Sequence, residues 1–86
     1  MITVKKFWAT YCGPCKMLAP VMNEIKTKFP SVRFENIDVE EHPDVATKYS
    51  VRSVPTVVIE KNGVEVQRFT GLQSKLAYTN AINENL

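Results

Sequence analysis

The sequence predicts an α/β domain with the element order βαβαββα. Three observations predict it. Short β-rich runs alternate with a stretch of apolar residues at helical spacing, that stretch lies between the first two runs, and an Asn-Gly pair separates the last two. The 86 residues, 44% apolar and 23% charged with no Gly, Ser or Pro tract, describe one globular domain over residues 1–86. A chain of this length buries roughly two-thirds of its unfolded surface, enough for a single core.

The first strand, β1, runs from Ile2 to Trp8 and ends at Ala9-Thr10. From Gly13 to Phe29, Met17, Leu18, Val21, Met22, Ile25 and Phe29 recur at spacings of three to four, between Lys16, Asn23, Glu24, Lys26 and Lys28. This is an amphipathic helix, α1, with Pro20 inside it; proline removes one backbone bond and predicts a kink near Leu18 to Pro20. Val32 to Val39 reads as strand β2, with Phe34, Ile37 and Val39 as its apolar members, parallel to β1 because a helix makes the crossover. His42-Pro43-Asp44 begins a short helix, α2, with proline at its first position and Val45, Ala46 and Tyr49 on its buried face. Thr56-Val57-Val58-Ile59 after Pro55 is strand β3, and Val64 to Phe69 is β4. Asn62-Gly63 joins them, and because both residues tolerate positive φ, an antiparallel hairpin is expected. Ser74 caps a closing helix, α3, whose apolar face is Tyr78, Ala81, Ile82 and Leu86.

Eleven Lys and Arg stand against nine Asp and Glu, with no basic run that would follow a phosphate backbone, so nucleic acid is not the expected partner. No segment has the length of a membrane span, and Lys5 and Lys6 interrupt what a secretory leader would need, so a cytoplasmic protein without membrane contact is expected. Lys5, Lys16 and Lys48 are either a basic rim selecting acidic partners or a solvated face.

Both cysteines lie within four residues, Cys12-Gly13-Pro14-Cys15, so they cannot staple distant parts of the chain. A zinc site needs two more ligands, and the only histidine, His42, has no companion at ligand spacing. The pair sits around the first turn of α1, where unpaired N–H groups and the helix dipole favour a thiolate. Cys12, at the very start, is expected to be the better exposed; it would attack a partner disulfide, and Cys15, one turn deeper, would resolve the mixed disulfide. The competing reading is two small apolar residues packed at a helix start. The strand before and the helix after the pair favour redox chemistry.

The segments Phe7-Trp8-Ala9, Cys12-Gly13-Pro14-Cys15-Lys16-Met17 and Ala19-Pro20 resemble the active-site signature of the thioredoxin family. The likeness continues through Lys48-Tyr49, Val51-Arg52, Val54-Pro55-Thr56, Lys61-Asn62-Gly63 and Gly71. The resemblance implies a minimal thioredoxin fold, a four-stranded mixed sheet of order 2-1-3-4 flanked by three helices, without the further strand and helix that usually precede β1. It implies Cys12 as the attacking cysteine, Cys15 as the resolving one, Gly13, Pro14 and Trp8 as their supports, and Pro55 after a cis bond beside them. Without the resemblance, Pro55 would simply start an edge strand. Tyr11, Val54, Gly71 and Leu72 are implied as the rim on which partner proteins dock. The implied activity is protein-disulfide reduction by a monomer, with a thioredoxin-reductase-like electron donor and oxidised proteins as partners. No cofactor or metal is implied beyond the Cys12–Cys15 disulfide. A glutathione-coupled protein of glutaredoxin type and a non-catalytic binding module are the alternatives; Gly13-Pro14 favours the thioredoxin type.

Lys6 departs from the family, which usually has a buried aspartate there, and its usual lysine partner is replaced by Asn36. Lys6 could stabilise the Cys15 thiolate, lose its own proton and act as a base, or extend its stem so that the amine reaches water.

Overall fold

A computed structural model describes residues 1–86. The elements are β1 (Ile2–Trp8), α1 (Gly13–Lys28), β2 (Arg33–Asp38), α2 (Pro43–Lys48), β3 (Thr56–Lys61), β4 (Val64–Thr70) and α3 (Lys75–Asn85). They form one four-stranded sheet of order β2-β1-β3-β4. β1 is parallel to β2 and antiparallel to β3, and β3 and β4 form the antiparallel hairpin. Asn62 (φ 53°) and Gly63 (φ 83°) make the tight turn that the Asn-Gly pair predicted.

The central strands are covered on both faces, so their buried residues run almost continuously, from Thr56 to Glu60 in β3. On one face Ile2, Val4, Val57 and Ile59 pack with Leu18, Met22 and Ile25 of α1 and Tyr78, Ala81 and Ile82 of α3. Leu18, Ile25 and Ile82 are completely buried, each worth about 2 kcal/mol of apolar transfer. The Phe69 and Tyr78 rings meet edge to face at 5.1 Å. On the other face, the short helix α2 presents Ala46, and Phe7 lies 5.5 Å from the Tyr49 ring.

Two expectations are corrected. Met17 belongs to no buried face: it is 62% exposed, because the side of α1 turned to the sheet is set by Cys15, Leu18, Met22 and Ile25. Leu86 follows the last turn of α3 and is 62% exposed, so it leaves the apolar face it was assigned to. As expected, Pro20 lies inside α1, and its exposed position turns the lost backbone bond toward solvent.

The rest of the α2 face is filled by polar chemistry. Lys5 Nζ donates to the Tyr49 hydroxyl and lies 3.1 Å from Glu60 Oε1, while the Tyr49 hydroxyl donates to Glu60 Oε2 at 2.8 Å. The amine also sits 4.6 Å from the centre of the Tyr49 ring. Burial alone would lower the pKa of Lys5, but the Tyr49 and Glu60 contacts outweigh it and hold the amine above its ordinary value. Lys5 is therefore engaged inside the fold, and it does not join the exposed Lys16 and Lys48 in a basic rim.

Candidate active site

The register of three strands assembles the site. Phe7 pairs with Thr56, and Thr56 with Thr70, so the chain leaving β1 at Trp8, the chain reaching β3 at Pro55 and the chain leaving β4 at Gly71 lie side by side. This is the carboxyl end of β1, where open α/β sheets characteristically place their chemistry. The Val54-Pro55 peptide bond is cis, as the resemblance implied. The Gly71 N–H donates to the Pro55 carbonyl at 2.8 Å, and Gly71 itself has φ 85°, a conformation that glycine adopts without a side-chain penalty.

Between β1 and α1 the chain turns sharply, with the Cys12 N–H donating to the Ala9 carbonyl at 3.2 Å. Cys12 is the N-cap of α1, in extended backbone conformation, and its Sγ accepts a hydrogen bond from the Cys15 N–H at 3.1 Å. Pro14 has no N–H, so the Cys15 amide is the one that reaches back, as a capping residue's acceptor requires. No acidic residue lies in the first turn to compete for this positive end of the helix.

Cys12 and Cys15 form a disulfide, with their Cα atoms 5.3 Å apart. Both are buried, at 6% and 4% exposure, in a small cluster with Ala9 against which Trp8, Val39 and Val54 pack. The expected contrast between an exposed Cys12 and a deeper Cys15 is therefore absent in this oxidised form. The two differ instead in their place on the helix: Cys12 caps it and Cys15 lies within its first turn.

Of the expected docking residues, Tyr11 is 73% exposed and shares a shallow recess with Val54, Val39, Val51 and Arg52. Leu72, 37% exposed, follows Gly71 at the other side of Pro55 and does not line that recess. The residues expected to form a rim thus fall into two groups, linked through the Pro55–Gly71 hydrogen bond.

Lys6 stands directly across the β1–β2 pair from Asn36. Only 9% of the residue is exposed, while its unpaired amine is not fully buried, and with Trp8, Ala9, Cys15, Ala19 and Asn36 it lines a cleft of about 250 Å³. Burial, with no ion pair to oppose it, holds its amine below the ordinary lysine value. Sequence reasoning placed Ala9 and Ala19 in the signature without a role and missed Val39 as a neighbour of the disulfide. Val39 was readable only as a strand residue, and its contact with the disulfide depends on its N–H donating to the Trp8 carbonyl at 3.0 Å. Also missed was Glu40, which accepts a hydrogen bond from the Thr10 hydroxyl at 3.0 Å and ties the loop after β2 to the loop before Cys12.

No group of three or more His, Cys, Asp or Glu side chains is gathered as a metal site would require. No helix is long and apolar enough to cross a membrane.

The family model described as thioredoxin matches residues 1–84. A thioredoxin from Staphylococcus aureus is 40% identical over 81 residues, covering 93% of this chain and 78% of the relative. One from Chlamydia caviae is 39% identical over 79 residues, covering 92% and 78%. The crystal structure of a thioredoxin from Nicotiana alata superposes with a TM-score of 0.93 at 40% identity, covering 98% of this chain and 72% of that one. With a helix-capping Cys12 in a disulfide with Cys15, beside a cis proline on the matching fold, the chain belongs to the thioredoxin family and is a thiol-disulfide oxidoreductase.

Proposed function

We propose that the protein reduces disulfides in partner proteins, with Cys12 as the attacking sulfur and Cys15 as the resolving one. The observation that carries this reading is the hydrogen bond from the Cys15 N–H to Cys12 Sγ at the start of α1. In the reduced protein the same donor and the helix dipole favour a thiolate on Cys12. That thiolate attacks one sulfur of the partner disulfide, a mixed disulfide forms, and the partner's other sulfur leaves as a thiolate. Cys15 then loses its proton and attacks Cys12 Sγ. The internal disulfide closes, the partner's second thiol leaves, and two electrons have passed to the partner.

A partner segment would lie along Tyr11 and Val54, with Gly71 and Leu72 at its other edge, so that its disulfide reaches Cys12. Electrons would return from a thioredoxin-reductase-like enzyme. We further propose that the protein works as a monomer in the cytoplasm, a setting supported by its having no cysteine outside the Cys12–Cys15 pair.

The test is trapping. Cys15→Ser should accumulate mixed disulfides with oxidised protein substrates through Cys12, visible by mass spectrometry, whereas Cys12→Ser should accumulate none. Trapping through Cys15 in the Cys12→Ser variant at equal yield would reverse the assignment. Rapid turnover with glutathione as sole reductant would favour the glutathione-coupled alternative.

A further inference from the structure

The cleft that holds Lys6 shares no residue with the recess of Tyr11 and Val54. Its apolar wall is Trp8, Ala9 and Ala19, and the inner sulfur-bearing residue Cys15 also lines it. Two lysines, Lys6 and Lys16, line it and no carboxylate does. Lys6 is nine-tenths buried as a residue, it has no hydrogen-bond or ion-pair partner in the protein, and its Nζ keeps some contact with solvent.

A partly desolvated amine without a counter-ion is costly, and an anion brought to it beside an apolar wall is bound more strongly than in water. We propose that this cleft binds a small carboxylic acid carrying an apolar body, its carboxylate paired with Lys6 and its body against Trp8, Ala9 and Ala19. The volume of about 250 Å³ is just below the range of drug-sized pockets, which suits an acid the size of benzoate.

The charged groups around Lys6 leave it available. From α1, Lys16 lines the cleft and Lys26 the adjoining recess, and both are cations. From β2, Glu35 lines that recess, but its carboxylate is held by Arg33 at 2.8 Å and approached by Lys5 at 4.0 Å.

The experiment titrates the oxidised full-length protein with sodium benzoate, followed by backbone NMR and calorimetry. Saturable shifts should concentrate at Ala9, Cys15, Ala19 and Asn36. Benzyl alcohol, which keeps the ring and lacks the charge, should bind more than tenfold more weakly, and Lys6→Met should weaken benzoate by more than about tenfold. Lys16→Met should change it less than about threefold, as expected for an exposed charge. Absence of saturable binding, equal binding of benzyl alcohol, or undiminished binding by Lys6→Met would each overturn the proposal. Should Lys6→Met fail to fold, a pH series on the unaltered protein decides. Affinity should begin to fall as Lys6 loses its proton, at a pH below the ordinary lysine value of 10.5, and an affinity constant up to that pH would overturn the proposal.

Discussion

Gly71 donates its N–H to the carbonyl of Pro55 at 2.8 Å, joining the turn after β4 to the segment that reaches the disulfide. Gly71 has φ 85°, and no atom lies within 4 Å of where a Cβ would stand. Gly71→Ala therefore meets no steric clash, and its cost is the left-handed backbone alone. A loss of about 1 kcal/mol in urea denaturation is expected. A loss below ~0.3 kcal/mol would mean that the turn changes conformation to accommodate the side chain.

The polar cluster under α2 should be far more sensitive to loss of its cation than to loss of its hydroxyl. Tyr49→Phe removes the bridge between Lys5 and Glu60 but leaves their direct pair, at a cost of about 1 kcal/mol. Lys5→Met leaves the Glu60 carboxylate, 8% exposed, without its counter-ion, and should cost about 3 kcal/mol. Equal losses in the two variants would show that the ion pair contributes nothing beyond the hydroxyl.

Lys6 and Lys5, adjacent on β1, should leave opposite signatures in alkaline stability. The folded protein disfavours protonated Lys6, so its pKa lies below the unfolded value. The cost is fully present below the folded pKa and is relieved as pH rises from there to about 10.5. Lys5 is raised: its contribution is fully present below about 10.5 and is lost as pH climbs through its higher folded pKa. Stability measured against pH should therefore gain from Lys6 before it loses from Lys5. Lys6→Met should raise stability at neutral pH by about 1 kcal/mol and abolish the rising limb. A variant that keeps that limb would assign it to another group.

Partner recognition should separate from sulfur chemistry. Tyr11→Ala combined with Val54→Ala should lower kcat/KM for a protein disulfide by roughly tenfold, equivalent to about 1.4 kcal/mol of lost binding in the transition state. Reduction of a small symmetrical disulfide should stay within about twofold, because it needs no rim. A parallel loss with both substrates would instead mean that the substitutions disturb the sulfurs.

Much of this was determined by the chain taken alone, because local physics carries it. Ile2–Trp8, the Asn62-Gly63 turn and the Ser74 cap each answer to short-range rules, and Ser74 Oγ does accept from the Ala77 N–H at 3.2 Å. The Cys12–Cys15 pair at a helix start was legible for the same reason. What lay beyond it was orientation. Helical spacing marks a stripe of apolar residues but not its edges, so Met17 and Leu86 were assigned to faces that the packed helices turn toward solvent. Strand register, a relation between segments distant in sequence, alone decides that Trp8, Pro55 and Gly71 become neighbours. Burial likewise belongs to the assembled structure: Lys5 and Lys6 are identical in chemistry and adjacent in sequence, yet the alternation of β1 sends one to Glu60 and Tyr49 and the other to the cleft beside Cys15.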